Sequence, residues 1–481
     1  MVVLALGAAW SLTIGSSSGS ATATATSPIT HVVILDQENN SFDHLLGKLC
    51  ADRVASGDPA PCDGATTGTI STGQVLPLVK SGDVPPTVNH SHVTQVTAMD
   101  IQGGVPQMDG WDLIGKTCDA ASGYRCLQQA YPTQLPTLTR LANKFTISDR
   151  TFELDAASTW GSHLEIVTAN LDNFVGENAR SKGLPPGVPT GNGMGCDSGK
   201  LAPWTDPSDS TIKYIPSCVP DQNGNISPMY DWYLSQTGPH PIADHVPTIM
   251  DLLDQHGVSW KIYAPTAASD EWRFGYGRAI CPTFWHCLST NQAKKVESPG
   301  DFIVDAQMNQ LPAVSYLLPY DFNSQHNTFS LIKGENWIAS VVNAVAANPD
   351  TWGSTAIFLT YDDCGCWYDH VPPPQSGNPY GPLGIRVPMV IISPYAKPHF
   401  VDHNTASFAS LLSYIEHNWG LPGLSTLPGG AGAREGLAYD YHDSFNYSQT
   451  ALRPVRLPTH AVPSSSIRYM RLHPPVHEDD T

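Results

Sequence analysis

A chain of 481 residues can form one large α/β domain or two to three ordinary ones, and it buries a substantial core without the staples that small domains need. Only 14% of the residues are charged while Gly and Pro number 40 and 41, which points to a loop-rich globular protein and away from disorder or a coiled coil. The formal charge of −19 argues against nucleic acid as a partner, so an anionic substrate would need a local positive site such as a metal ion.

Residues 1–26 read as a signal-like segment: 2–9 is apolar, and 16–26 is a run of small residues with Ala-Thr-Ala repeats suited to a signal-peptidase cut, although a basic start is absent. No later stretch reaches the ~18 uninterrupted apolar residues of a membrane span, so no transmembrane anchor is expected. Apolar runs at 32–35, 258–263, 313–318, 355–360 and 387–392 read as buried strands. Helical spacing recurs at 246–256, which ends at the C-cap signal Gly257, and at 337–347 and 408–419. This alternation predicts a mostly parallel central sheet with helices on both faces, an α/β/α sandwich within one domain over 27–453. Residues 176–245, rich in Gly, Pro, Ser and Asp, read as an irregular insertion bordering the site, and 454–481 as a peripheral or disordered tail.

The ten cysteines fall into sequence-near pairs, Cys50 with Cys62, Cys118 with Cys126, Cys196 with Cys218, Cys281 with Cys287 and Cys364 with Cys366. Disulfides in an exported protein are the expected use, since no pair of Cys-x-x-Cys units suggests zinc. The actual pairing is not readable from sequence, and a bridge between Cys364 and Cys366 would close a strained short ring.

Two apolar runs stop abruptly at ionisable groups. The first is followed by Asp36, Glu38, Asn39 and Asp43, hard oxygen ligands at the carboxyl end of a strand, where sites form in open α/β sheets. The second, 355–360, leads into Asp362 and Asp363, adjacent carboxylates that repel unless a positive charge sits beside them; a divalent cation is the usual answer.

With both clusters in view, the chain resembles the phosphoesterase family that contains bacterial and plant non-specific phospholipases C and a group of bacterial acid phosphatases, within the alkaline-phosphatase-like superfamily. The resemblance spans roughly residues 30–422 and rests first on Glu-Asn-Asn-Ser-Phe-Asp-His at 38–44, where the family usually has Arg in place of the second Asn. Met-Asp-Gly-Trp at 108–111, Phe-Thr-Ile-Ser-Asp-Arg at 145–150 and Gly-Val-Ser-Trp-Lys-Ile-Tyr at 257–263 continue it. Tyr-Asp-Asp at 361–363, Tyr-Asp-His-Val-Pro-Pro-Pro at 368–374 and Arg-Val-Pro-Met-Val-Ile-Ile-Ser-Pro-Tyr-Ala-Lys at 386–397 complete it. Each motif alone is weak; together and in order they are specific.

The resemblance implies residue roles. The family's nucleophile segment, similar to Gly-Pro-Thr-x-Pro-Asn-Arg, corresponds to Ala157-Ser158-Thr159-Trp160-Gly161-Ser162-His163, which sets Thr159 on the nucleophile. The departure of Pro-Asn-Arg to Gly161-Ser162-His163 keeps Ser162 and Ser158 as alternatives. Glu38, Asn39, Asp362 and Asp363 match the family's ligands for a divalent metal ion, which would favour the alkoxide of a hydroxyl otherwise too weak to attack. His90 and His326 match positions that contact the phosphate or leaving group and could donate a proton, with His92 an alternative to His90. His44, His370 and His403 fall in family motifs but read as supporting groups, and a further family histidine appears replaced near Phe408.

The expected function is a secreted, metal-assisted hydrolase of phosphoric esters, phospholipase C-like in its leading form, with an acid phosphatase as the close alternative and a catalytically silent binding protein as the distant one. Trp204, Tyr230, Trp232, Trp272 and Trp285, in segments with few Lys or Arg, suggest an aromatic rim suited to a phospholipid or other bulky diester.

Overall fold

In the computed structural model, residues 23–181, 191, 193–237, 242–267, 276, 280–375 and 381–473 are described. Eight strands form the central sheet: β1 (His31–Gln37), β2 (Thr146–Ser148), β3 (Trp260–Tyr263), β4 (Val296–Glu297), β5 (Val314–Leu317), β6 (Thr355–Tyr361), β7 (Met389–Ile392) and β8 (Phe400–Asp402). Their order is β4-β3-β5-β1-β6-β7-β2-β8. Only β7 runs against its neighbours; the other pairings are parallel. All five runs read as strands lie in this sheet, and the two longest, β1 and β6, pair side by side at its centre. There both faces are covered, which is why their sequences are continuously apolar without alternation.

Six helices cover the faces: α1 (Pro136–Lys144), α2 (Thr159–Thr168), α3 (Ile249–Gln255), α4 (Pro299–Gln307), α5 (Leu331–Ala347) and α6 (Phe408–Trp419). Strand alternation sorts them. Ile34 stands level with Tyr316 and Phe358, and on that face the Tyr316 hydroxyl donates to Ile166 O of α2 at 3.2 Å while the Phe358 ring packs on Tyr414 of α6. Residues one step along point the other way: the Tyr361 hydroxyl reaches Gln325 at 2.6 Å, and Gln325 in turn donates to Leu331 O at the start of α5. Helices α1 and α4 pack on α5, and α3 on α2, so the molecule is the expected α/β/α sandwich.

A buried carboxylate joins two of these helices. Helix α1 begins at Pro136 with no side-chain cap of its own, and Glu335 of α5 accepts from the N–H groups of Thr137 and Leu138 at 2.5 and 3.1 Å. Burial, partly offset by these two N–H donors, pushes the Glu335 carboxyl up to about 8.

Within 176–245, the described residues carry a hairpin, Leu201–Thr205 with Ile212–Pro216, stapled near its ends by Cys196–Cys218. Trp204 is buried in the main core and Tyr230 in a small separate one, so these two rings do not rim a site as their composition suggested; Trp285 packs against the small core that holds Tyr230. Trp272 and the side chain of Trp232 lie outside the described residues. The tail is peripheral yet ordered over 454–473, because Asn343 and Asn336, seven residues apart on α5, each exchange two hydrogen bonds with the backbone of Leu457 and His460. Residues 1–22 of the signal-like segment also lie outside the described residues, and no described helix is long and apolar enough to cross a membrane.

Four of the five cysteine pairs are disulfides, while Cys364 and Cys366 are free and buried. The denatured, unreduced protein should therefore titrate two thiols; more than about two would contradict the disulfide framework. Glu335 supplies a second test. Its folded pKa is raised, so its contribution to stability is complete below pH ~4.5 and is lost as pH rises through about 8. Urea unfolding at pH 5, 6.5 and 8 should show a decline over that window that Glu335→Gln flattens. Glu335→Ala should cost about 2–4 kcal/mol by orphaning two helix N–H groups.

Candidate active site

The site forms where β1 and β6 end together. In register, Asp36 stands beside Thr360, and Asp362 continues the β6 direction with its N–H bonded to Gln37 O at 2.9 Å. Period-two alternation puts Asp36 and Asp362 on the same face of the sheet as Ile34 and Phe358, the face that α2 covers. Glu38 and Asn39 follow β1, and the Asn39 backbone takes a left-handed conformation, φ 51°, that turns the chain across the end of β6. There the Asn39 N–H donates to Asp362 Oδ1 at 3.0 Å and its side-chain amide to Asp363 at 3.3 Å. Gly365, at φ 57°, closes the facing turn, and its N–H donates to Asp363 Oδ1 at 2.6 Å. A Cβ on Gly365 would lie 2.2 Å from Asn39 O, so only glycine permits the two turns to nest.

Helix α2 brings the hydroxyl. Ser158 is its N-cap and Thr159 its first residue, buried at 3% exposure. The helix start is held by the 176–178 segment: Ser158 N donates to Gly176 O at 2.8 Å, Trp160 N to Asn178 Oδ1 at 2.9 Å, and Gly161 packs so closely on Gly176 that a Cβ would meet it at 2.7 Å. Ser162 Oγ turns back to Ala157 O at 3.4 Å. One turn after Thr159, on the same helix face, the His163 ring reaches the strand ends, with Nε2 3.4 Å from Asp36 Oδ2 and 4.0 Å from Glu38 Oε1. Glu38, His163 and Asp362 each offer an atom within 4.8 Å of the other two.

The electrostatics of the cluster suit a cation. Asp36, Glu38, Asp362, Asp363 and Glu153 are all buried. Burial pushes Asp36 up to about 6, with His163 pulling it down and Asp362 pushing it further up; burial and the neighbouring Cys364 and Asp363 raise Glu153 well above the carboxylate range. Apart from the His163 ring 3.4 Å from Asp36 Oδ2, no hydrogen-bond donor among the described residues serves the Asp36 carboxylate, Oδ2 of Asp362 or Oδ1 of Asn39. Hard oxygen atoms left in this way fit a divalent cation.

The two histidines flank the cluster. His326 sits in a loop whose Ser324 carbonyl accepts from Glu38 N at 3.0 Å, and His90 is tied through Gln95, which donates to both His90 O and Ala157 O, to the residues just before Thr159. Their rings meet edge to face with centroids 5.6 Å apart. In each, Nδ1 lies against a backbone carbonyl, Val88 O at 3.0 Å and Asn327 O at 2.9 Å, so Nδ1 carries the hydrogen and Nε2 is the accepting nitrogen of the neutral ring. His92 instead uses Nδ1 on Ala156 O at 2.6 Å, bracing the same turn. The remaining motif histidines are supports. His44 stacks on Trp367 at 4.2 Å and is pushed down to about 3 by burial. His403 pairs with Asp149 at 2.9 Å, and His370 bridges Asp43 and Asp63. Phe408 is a buried core residue at the start of α6.

The structure thus brings Glu38, Asn39, Asp362 and Asp363 to one pair of strand ends, Thr159 to the helix facing them, and His90 and His326 to the adjoining loops. Sequence reasoning underused Asp36 and passed over His163 as a mere departure from pattern. The signals were there: Asp36 is two residues from Glu38 on a strand, and His163 is four from Thr159 on a helix.

Central strands ending in buried carboxylates, on the sheet face covered by the helix that begins at Thr159, form the arrangement expected of a phosphoric ester hydrolase. The chain belongs to the Phosphoesterase family, which it matches over residues 29–422. It is 26% identical over 468 residues to Phospholipase C A of Mycobacterium tuberculosis, covering 87% of this chain and 78% of that protein. Non-specific phospholipase C1 of Arabidopsis thaliana is 23% identical over 402 residues, covering 78% of this chain and 62% of that protein. Among solved structures, an inactive murine ectonucleotide pyrophosphatase/phosphodiesterase 5 in complex with AMP gives a TM-score of 0.31 at 10% identity, over 63% of this chain and 94% of that one.

Gly365→Ala should destabilise the protein by about 2–4 kcal/mol, because both the backbone conformation and the contact with Asn39 are violated. Urea unfolding measures it, and a cost below ~0.5 kcal/mol would show that the two turns are not locked together.

Proposed function

We propose that the chain is an exported phospholipase C-like phosphodiesterase in which Thr159 attacks phosphorus. The observation that carries this reading is the position of Thr159: the first residue of a buried helix whose next turn, at His163, meets the carboxylates ending β1 and β6. A divalent cation held by Glu38, Asn39, Asp362 and Asp363 would supply positive charge to the Thr159 oxygen and to a phosphoryl oxygen. The chain does the rest. The first-turn N–H groups of α2 favour negative charge where the phosphoryl oxygens gather. The Thr159 hydroxyl gives up its proton to bulk water as its oxygen bonds to phosphorus, the bond to the leaving alkoxide breaks, and Nε2 of His90 or His326, when protonated, gives that alkoxide its proton. Water then attacks the phosphothreonine: its OH stays on phosphorus, its other proton returns to the histidine, and the departing Thr159 oxygen takes a proton back from bulk water, which restores the hydroxyl.

Preference for a diester rests on charge and kinship. Carboxylates crowd the cluster, and the buried Arg386 is already committed to Asp43 and Asp369. A monoester dianion would meet more repulsion there than a diester monoanion. The two sequence relatives named above are phospholipases C, a name for enzymes that cleave phosphodiesters. Export is supported by the four disulfides.

Thr159→Ala should lower kcat by at least ~10³-fold, about 4 kcal/mol, without shifting the unfolding midpoint. If Ser162→Ala or Ser158→Ala does this instead, the nucleophile moves. The diester should exceed the matching aryl monoester in kcat/KM. A tenfold preference for the monoester, ~1.4 kcal/mol, would replace this reading with the acid phosphatase.

A further inference from the structure

At position 163 the family pattern has an arginine and this chain a histidine, buried to 3% and set against three carboxylates. An arginine there would carry a permanent positive charge and could not ligate a metal, whereas a neutral imidazole offers a lone pair but no charge. The exchange therefore removes compensation from Asp36, Glu38 and Asp362 and adds a nitrogen donor in the same place. The ring's other nitrogen, Nδ1, has no hydrogen-bond partner among the described residues, so its polar contact is made through Nε2, towards the carboxylates.

We propose that His163 Nε2 is a metal ligand, so that the cation held with Glu38 and Asp362 is a first-row transition ion of the zinc, cobalt or iron type rather than calcium or magnesium. This rests on the metal-dependent reading given above. The spacing suits such an ion: Nε2 lies 4.0 Å from Glu38 Oε1, and the three candidate donor atoms all fall within 4.8 Å of one another. Ligands on bonds of about 2.1 Å stand roughly 3–4.2 Å apart around one ion, so small adjustments complete the shell. Imidazole with carboxylate favours zinc, cobalt, iron or nickel, while calcium and magnesium take oxygen alone. The rival role for His163 is an imidazolium paired with Asp36.

The test uses the full chain stripped with chelator and titrated separately with Co²⁺ and Ca²⁺, following heat and, for Co²⁺, visible absorption. One Co²⁺ per chain should bind to the wild type. His163→Gln should weaken Co²⁺ at least tenfold and change its spectrum, while Ca²⁺ affinity changes less than threefold. Equal Co²⁺ affinity and an unchanged spectrum in His163→Gln would overturn the proposal. Electron spin-echo spectroscopy of the Cu²⁺-loaded wild type gives an answer even if that variant does not fold: imidazole nitrogen modulation supports ligation, and its absence contradicts it. Asp362→Asn separates the two claims. Lost binding there with unchanged binding in His163→Gln sinks only the histidine ligand, whereas unchanged binding in Asp362→Asn sinks the metal site itself.

Discussion

The structure is built around an electrostatic constraint, the burial of several carboxylates where the two central strands end. Two unit charges 4 Å apart repel by about 4 kcal/mol at an effective dielectric of 20, so such a cluster persists only where the fold supplies compensating groups. Backbone N–H donors do part of this. Asn39 serves Asp362, Gly365 serves Asp363, and Cys364 donates to Glu153 at 2.6 Å. Each donor comes from a tight turn that only the paired ends of β1 and β6 hold in place. Oδ1 of Asp36 and Oδ2 of Asp362 remain without donors among the described residues and Asp36 Oδ2 has only the His163 ring at 3.4 Å, which makes the cluster a candidate cation site.

A second charged network lies behind the first and shows what full compensation looks like. Arg386, completely buried, pairs with Asp369 at 3.1 Å and Asp43 at 3.3 Å, and donates to the backbone carbonyls of Asp63 and Asp149. His370 joins Asp43 to Asp63; burial acts to lower its pKa, but the two carboxylates outweigh this and hold it up to about 10. Cations and carboxylates interleave here within the chain, although burial still raises Asp369 to about 6, and the result is a brace linking five segments. The contrast separates a network whose cations come from the chain from one whose carboxylates outnumber them.

Sequence conveyed the centre of the fold better than its edges. The runs that became β1 and β6 were legible because strands covered on both faces are apolar at every position. Edge strands of two or three residues, such as β4 and β8, leave no such trace, and the reversed direction of β7 has no local signature. The oxygen-rich strand ends were legible because each unbroken apolar run stops abruptly at ionisable groups, which the fold nonetheless buries. For His163 the sequence offered only its place one helical turn after Thr159; that its ring meets Asp36 depends on α2 packing over that strand end, a tertiary fact. Composition also misjudged Trp204 and Tyr230, since a ring in a Pro- and Gly-rich segment can either rim a cleft or pack inward, and here Trp204 joins the main core while Tyr230 fills a small core of the segment itself. The tail was undervalued because its anchor is two asparagines on α5, far away in sequence.

The central claim is that the carboxylate cluster ending β1 and β6 exists to hold a cation facing Thr159. Anomalous diffraction from crystals of the metal-loaded protein tests it most directly. The account predicts one strong peak bounded by Glu38 and Asp362, on the side that Thr159 faces. A peak instead at Asp43, Asp369 and His370, the other group of close ligand atoms among the described residues, or none at either place, would contradict it.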